Sequence, residues 1–212
     1  MNEKLLTLIK QKNIKILGAS KTKSLEEIQK VYEKGITIFG ENYVNELKEK
    51  YKIDAPYEFH FIGKIQTNKI KDIVPRVTLI HSVSRIKELI EINKECQKIN
   101  KQINILIELH LTDETTKNGV TLNELDSLIN EIKNFENITL KGFMTMGPSD
   151  SDYNKTKEVF ALANKIFKYY QEKIPSIDTL SMGMSNDYEL AIQEGSTLIR
   201  LGTLLFGKRN YQ

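Results

Sequence analysis

IDTLSMGMSNDYELAIQEGSTLIRLG, residues 177–202, decides the fold. IDTLSMG (177–183) is a short apolar run that ends in small residues, as a buried strand does. SNDYELAIQEG (185–195) then has helical spacing, with Ser185 as its expected N-cap and Gly195 at its end. TLIRLG (197–202) is a second apolar run. Strand, helix and strand follow one another with almost no connecting chain. Such units put their strands parallel in one sheet.

Working outward, the same unit recurs along the whole chain. The expected strands are 14–20, 36–40, 57–63, 77–83, 103–111, 138–146, 177–183 and 197–202. Between them lie helices at 24–35, 41–51, 66–74, 84–99, 122–135, 151–173 and 185–195, with a leading helix over 2–12. Ser24 and Glu27 form a capping box before SLEEIQKVYEKG, which stops at Gly35. No Pro/Gly/Ser linker interrupts the series, so residues 1–212 read as a single domain. Eight βα units predict closure into a (β/α)8 TIM barrel. The rival is an open doubly wound sheet, which usually carries G-x-G-x-x-G after its first strand. Here that strand runs into ASKTKS, without such a turn.

Composition narrows the class. The 212 residues carry 31 Lys+Arg against 28 Asp+Glu, a net charge of +3, with acid and base interleaved as on solvated helix faces. That pattern argues against a nucleic-acid partner. Mean hydropathy is −0.39, and no apolar run approaches the roughly 20 residues of a membrane-spanning helix. The start, MNEKLLTLIKQK, lacks a signal-peptide core. The single Cys96 excludes an internal disulfide and reads as a small buried hydrophobe. A cytoplasmic, monomeric, globular chain is expected.

In a barrel of this type, chemistry sits at the C-terminal ends of the strands. Lys21 follows the first strand with the parity of Leu17 and Ala19. A lysine held in a barrel mouth can form a Schiff base. Lys23 shares that parity, and only its lesser depth argues against it. SMGMSND and RLGT, after strands seven and eight, combine Gly183, Ser185, Arg200, Gly202 and Thr203. Backbone N–H groups and hydroxyls converging there would make an anion site, where such barrels often hold phosphate. A lysine and a phosphate cup that meet across the closing seam suit an aldehyde carrying a phosphate, for which pyridoxal phosphate is the candidate. A competing reading takes His60, His81 and His110, near the ends of strands three to five, as zinc ligands of a hydrolase. They lack H-x-H or H-E-x-x-H spacing, and packed histidines are the simpler reading. Met144, Met146, Met182 and Met184 are expected to line a pocket.

SKTK (20–23), FGENY (39–43), HFIGKIQTNK (60–69), KNGV (117–120), GFMTM (142–146), SMGMSND (181–187) and IRLGTLLFG (199–207) together resemble the pyridoxal phosphate homeostasis protein family. These are single-domain relatives of the alanine racemase N-terminal barrel. The resemblance implies pyridoxal 5'-phosphate held on Lys21, with Ser185, Gly202 and Thr203 on the phosphate and Arg200 facing the pyridine nitrogen. It places Asn42 near the ring. His110 departs from the family's more usual Asn.

Two functions of different class remain. One is a carrier that buffers or delivers the cofactor, with apo-forms of pyridoxal-phosphate enzymes as its partners. The other is an amino-acid racemase or related enzyme. Alanine racemases draw a second base from another domain, and here the chain ends about ten residues after the last strand. The carrier is therefore the expectation.

Overall fold

The computed structural model describes residues 13–112 and 118–207. Eight parallel strands close into a barrel in sequence order, β8 pairing with β1. They are β1 (Lys15–Ala19), β2 (Ile38–Glu41), β3 (Glu58–Phe61), β4 (Leu79–Val83), β5 (Ile103–Glu108), β6 (Ile138–Met144), β7 (Thr179–Ser181) and β8 (Leu198–Leu201). Each is shorter than the apolar run that announces it: β3, β5, β6, β7 and β8 give up residues at the mouth end, whereas β2 and β4 lose theirs at the opposite end.

The helices are α1 (Leu25–Tyr32), α2 (Val44–Lys50), α3 (Ile70–Ile73), α4 (Ile86–Lys98), α5 (Leu122–Ile132), α6 (Tyr153–Gln171), α7 (Tyr188–Gln193) and α8 (Thr203–Phe206). The helix expected over 66–74 is α3 flanked by 3-10 turns at Thr67–Lys69 and Val74–Arg76, with Pro75 in the second of them. Proline cannot donate to a continuing α-helix, so this segment is irregular. The short α8 was not expected. The leading helix over 2–12 and Lys117 of KNGV lie outside the described residues.

The capping box of α1 is present, with Ser24 N–H on Glu27 Oε2 at 2.8 Å and Glu27 N–H on Ser24 Oγ at 3.2 Å. Side chains alternate along the strands, except where the register shifts in β4 and β6. Phe39, Phe61, Ile80, Ile105 and Phe143 pack outward beneath Leu47, Ile92, Leu128, Phe160 and Phe167 of the helices. Their counterparts point into the lumen, where Leu79, Leu106 and Met144 form a separate small cluster. Cys96 is buried in the outer layer, and burial pushes its thiol up to about 11. The lumen also holds the polar side chains of His60, His81, Ser181 and Arg200, and these shape the site above it.

Candidate functional site

A cavity of about 520 Å³ opens at the C-terminal ends of the strands, within the range typical of small-molecule sites. Lys21, Asn42, Ser185, Arg200, Gly202 and Thr203 all line it. They come from the loops after β1, β2, β7 and β8 and from β8 itself, and closure of β8 on β1 brings them to one place. Lys23, Met146 and Met184 line it too, whereas Met144 and Met182 are core residues.

The turn that carries Lys21 is fastened from below. Lys50 Nζ, at the end of α2, donates to Ser20 O at 2.8 Å, Glu41 Oε1 at 2.9 Å and Glu46 Oε2 at 2.6 Å. Ser20 Oγ donates to Glu41 Oε1 at 2.6 Å, and Thr22 N–H to Glu46 Oε2 at 2.6 Å. Ser20 O and Thr22 N–H, on either side of Lys21, are thus tied to one ion network. Thr22 has φ +64, an uncommon conformation for a β-branched residue, and the network holds it there. Burial raises the Glu41 carboxyl above its ordinary range, opposed by Ser20 and Lys50. Lys23, the rival lysine, is ion-paired with Glu27 at 2.9 Å.

The end of β2 adds Asn42, whose Oδ1 is buried without a hydrogen-bond partner. A buried acceptor left unpaired costs about 1–3 kcal/mol, so this atom fits a ligand that donates to it. Gly63 allows the strand ends to meet here, since a Cβ on it would lie 2.0 Å from Asn42 O.

Arg200 is buried, and its guanidinium is held by the protein. Nη1 donates to Ser181 O at 2.9 Å and Ser181 Oγ at 2.7 Å, and Nη2 to Thr145 O at 3.1 Å. Burial lowers its pKa to about 10, with Asp187 and Glu108 opposing, which leaves it cationic at neutral pH.

The β7 and β8 loops correct one expectation. Ser185 does not cap the following helix, which starts only at Tyr188. Asp187 accepts the Met184 N–H instead, and Ser185 Oγ accepts the Gly202 N–H at 3.3 Å. The serine therefore stitches the two loops together. Gly183 permits the turn with φ +95, where a Cβ would also meet Ala191 Cβ at 2.5 Å. Among the described residues the N–H groups of Ser185 and Asn186, and of Thr203 and Leu204 in the first turn of α8, find no backbone acceptor. Two sets of free donors and two hydroxyls suit an anion.

The histidines do not converge as a zinc site would require. His60 and His81 face each other in the lumen at 3.0 Å, while His110 is joined through its backbone to Val120. Among the described residues no three His, Cys, Asp or Glu side chains form a metal-binding group. Glu41, Glu46 and Lys50 were missed by sequence reasoning, although Glu46 and Lys50 stand at i,i+4 spacing; nothing local marks that spacing as buried. Glu108, at the end of β5, is a further buried carboxylate. It lines a neighbouring 160 Å³ cavity with Lys64, Ser84 and Arg85, and burial pushes its carboxyl up to about 7 against the pull of Arg200.

Residues 5–210 match the family model described as the alanine racemase N-terminal domain. The pyridoxal phosphate homeostasis protein of Pasteurella multocida is 37% identical over 93% of this chain and 88% of its own length. That of Aquifex aeolicus is 40% identical over 93% and 88%. PipY of Synechococcus elongatus PCC7942, solved without pyridoxal phosphate, superposes with TM-score 0.89 at 29% identity, covering 97% of this chain and 99% of that one. Its form with pyridoxal phosphate bound gives 0.87 at 27%, with the same coverage. Alanine racemase of Clostridium difficile shares the fold alone, at TM-score 0.76 and 16% identity over 59% of that chain. By sequence along nearly its whole length and by its closed parallel barrel, the chain belongs to the pyridoxal phosphate homeostasis protein family.

Proposed function

We propose that this chain holds pyridoxal phosphate in the 520 Å³ cavity as a Schiff base on Lys21, and buffers or delivers it. The observation that carries the reading is the convergence of Lys21, Asn42, Ser185, Arg200, Gly202 and Thr203 on that one cavity. The unpartnered Oδ1 of Asn42 supports the fit independently. When bound, the cofactor supplies an aldehyde, with which a lysine amine condenses and water leaves. Ser185, Thr203 and the N–H groups of their loops hold the phosphate. Arg200 donates toward the pyridine nitrogen and, as a fixed cation, opposes its protonation. Apo-forms of pyridoxal-phosphate enzymes are the proposed recipients.

The test is covalent. Protein loaded with pyridoxal phosphate should absorb in the visible, and borohydride reduction followed by peptide mapping should place the adduct on Lys21. Lys21→Ala should lose band and adduct, and Lys23→Ala should keep both. An adduct mapped to Lys23 would overturn the assignment.

One observation favours an enzyme. Glu108, with its carboxyl near 7, is a group at the barrel mouth able to exchange protons at neutral pH. Turnover measurements separate the two readings.

A further inference from the structure

A line of polar side chains crosses the barrel beneath the proposed site. Arg200 Nη1 donates to Ser181 Oγ at 2.7 Å. Ser181 Oγ lies 3.1 Å from His81 Nδ1, and His81 Nε2 lies 3.0 Å from His60 Nδ1. His60 Nε2 stands 3.8 Å from Glu58 Oε1. Since β4 and β7 are not neighbours in the barrel, the His81–Ser181 contact spans the lumen. The line ends at Glu58, the first residue of β3, on the face opposite the cavity. There Glu58 also accepts the Thr78 hydroxyl at 2.6 Å.

Counting protons gives the line a direction. Burial keeps both imidazoles neutral, Arg200 adding to the effect on His81 and Glu58 opposing it on His60. Each ring therefore carries one proton. Arg200 has no acceptor, so Ser181 Oγ must receive from it. If Ser181 donates to His81 Nδ1, then His81 donates from Nε2 to His60 Nδ1, and His60 Nε2–H faces the Glu58 carboxylate. Every link but the last is then a hydrogen bond; at 3.8 Å the His60 N–H meets the Glu58 carboxylate as a charge–dipole contact. In the opposite sense the Ser181 proton has no acceptor, and a bare His60 nitrogen confronts a carboxylate. Only the first arrangement gives the Ser181 and His81 protons acceptors and turns an N–H of His60, not a lone pair, toward Glu58.

At the cavity end, Ser181 and Thr145 occupy both Nη1 protons and one Nη2 proton of Arg200. Nε–H and the other Nη2–H remain. We propose that Ser181, His81 and His60 are positioning residues for Arg200: their relay, anchored on Glu58, fixes the guanidinium so that its remaining donors face the ring of the bound cofactor. This rests on the cofactor reading above. The other charged groups facing the line are Lys15 near His60, and Glu108 and Asp187 near Arg200.

The relay is tested twice. In protein without ligand, long-range ¹H–¹⁵N correlation of the histidine side chains should show His81 and His60 both neutral and protonated at Nε2. A His81 protonated at Nδ1 would overturn the direction and with it the relay. In protein loaded with pyridoxal phosphate, Ser181→Ala should displace the absorption maximum and speed release about tenfold, the equivalent of one charge-assisted hydrogen bond. Ser181→Thr, which keeps the hydroxyl, should restore both. Glu58→Leu should shift both in the same direction by a smaller factor, and Glu58→Gln, which keeps an acceptor, should not. Glu58 is 43% exposed, so its variants fold even if those of Ser181 fail. Unchanged spectra and release rates in both Ser181→Ala and Glu58→Leu would reject the proposal. Failure of the unmutated protein to take up pyridoxal phosphate would instead reject the cofactor reading, and the histidine tautomers would still decide the relay.

Discussion

Lys50→Met removes the cation beneath the Lys21 turn. Lys50 is buried and makes three hydrogen bonds, two of them to carboxylates. Methionine fills most of the space but leaves Glu41, fully buried, with Ser20 as its one remaining donor among the described residues. Breaking a buried pair from one side costs about 3–5 kcal/mol, which for a chain of this size is a fall in Tm on the order of 6–20 °C. The loss should depend on pH. The Glu41 carboxyl is already raised by burial, and removing Lys50 raises it further. Between the unfolded and folded values the native state binds the extra proton, so stability falls as pH rises through that window. The deficit of the variant should therefore shrink as pH is lowered from 7 toward 5. Denaturant unfolding across that range measures it. In the double variant Lys50→Met/Glu41→Gln the buried charge is gone, and most of the stability should return. The adduct yield on Lys21 should stay low in both, because Ser20 O and Glu46 lose their tie. A deficit below about 1 kcal/mol, the value of an exposed ion pair, or one independent of pH, would refute the reasoning.

Ser185→Ala should weaken pyridoxal phosphate binding about tenfold to a hundredfold, at 1.4 kcal/mol per decade, measured by titration of the visible band. Pyridoxal lacking the phosphate should bind far more weakly, and equal affinity for both would show that the β7–β8 cup is misplaced. Gly63→Ala must move the Asn42 backbone, which a Cβ would approach to 2.0 Å; a loss of both Tm and affinity is expected, and a neutral variant would show that the strand ends yield. Loaded protein incubated with L-alanine should transfer cofactor to an apo-enzyme without sustained turnover. Racemisation near 1 s⁻¹ or faster, the low end of enzyme rates, would establish the enzyme and direct attention to Glu108.

Local features of the chain were legible without the structure. The alternation of apolar runs and amphipathic segments, the Ser24–Glu27 box and the strand-end motifs depend on neighbours within four residues. Period and capping are local physics, so the βα order followed from sequence, as did closure once eight units were counted. Five of the six residues around the cavity, Lys21, Ser185, Arg200, Gly202 and Thr203, were legible for a related reason: in a parallel barrel, strand order says which loop ends meet, whereas Asn42 came only from the family resemblance. What needed the tertiary structure was the pairing of buried charge. Ser185 looked like a cap because Ser before an apolar helix usually is one. Only the proximity of β8 reveals that its hydroxyl serves Gly202. Lys50 looked like a solvated helix residue, and only the seating of α2 under the β1 turn buries it against Glu41. His81 and Ser181 are a hundred positions apart, and no spacing rule reaches that far. Burial turns an ordinary polar residue into one that must find a partner, and burial is settled by the whole barrel.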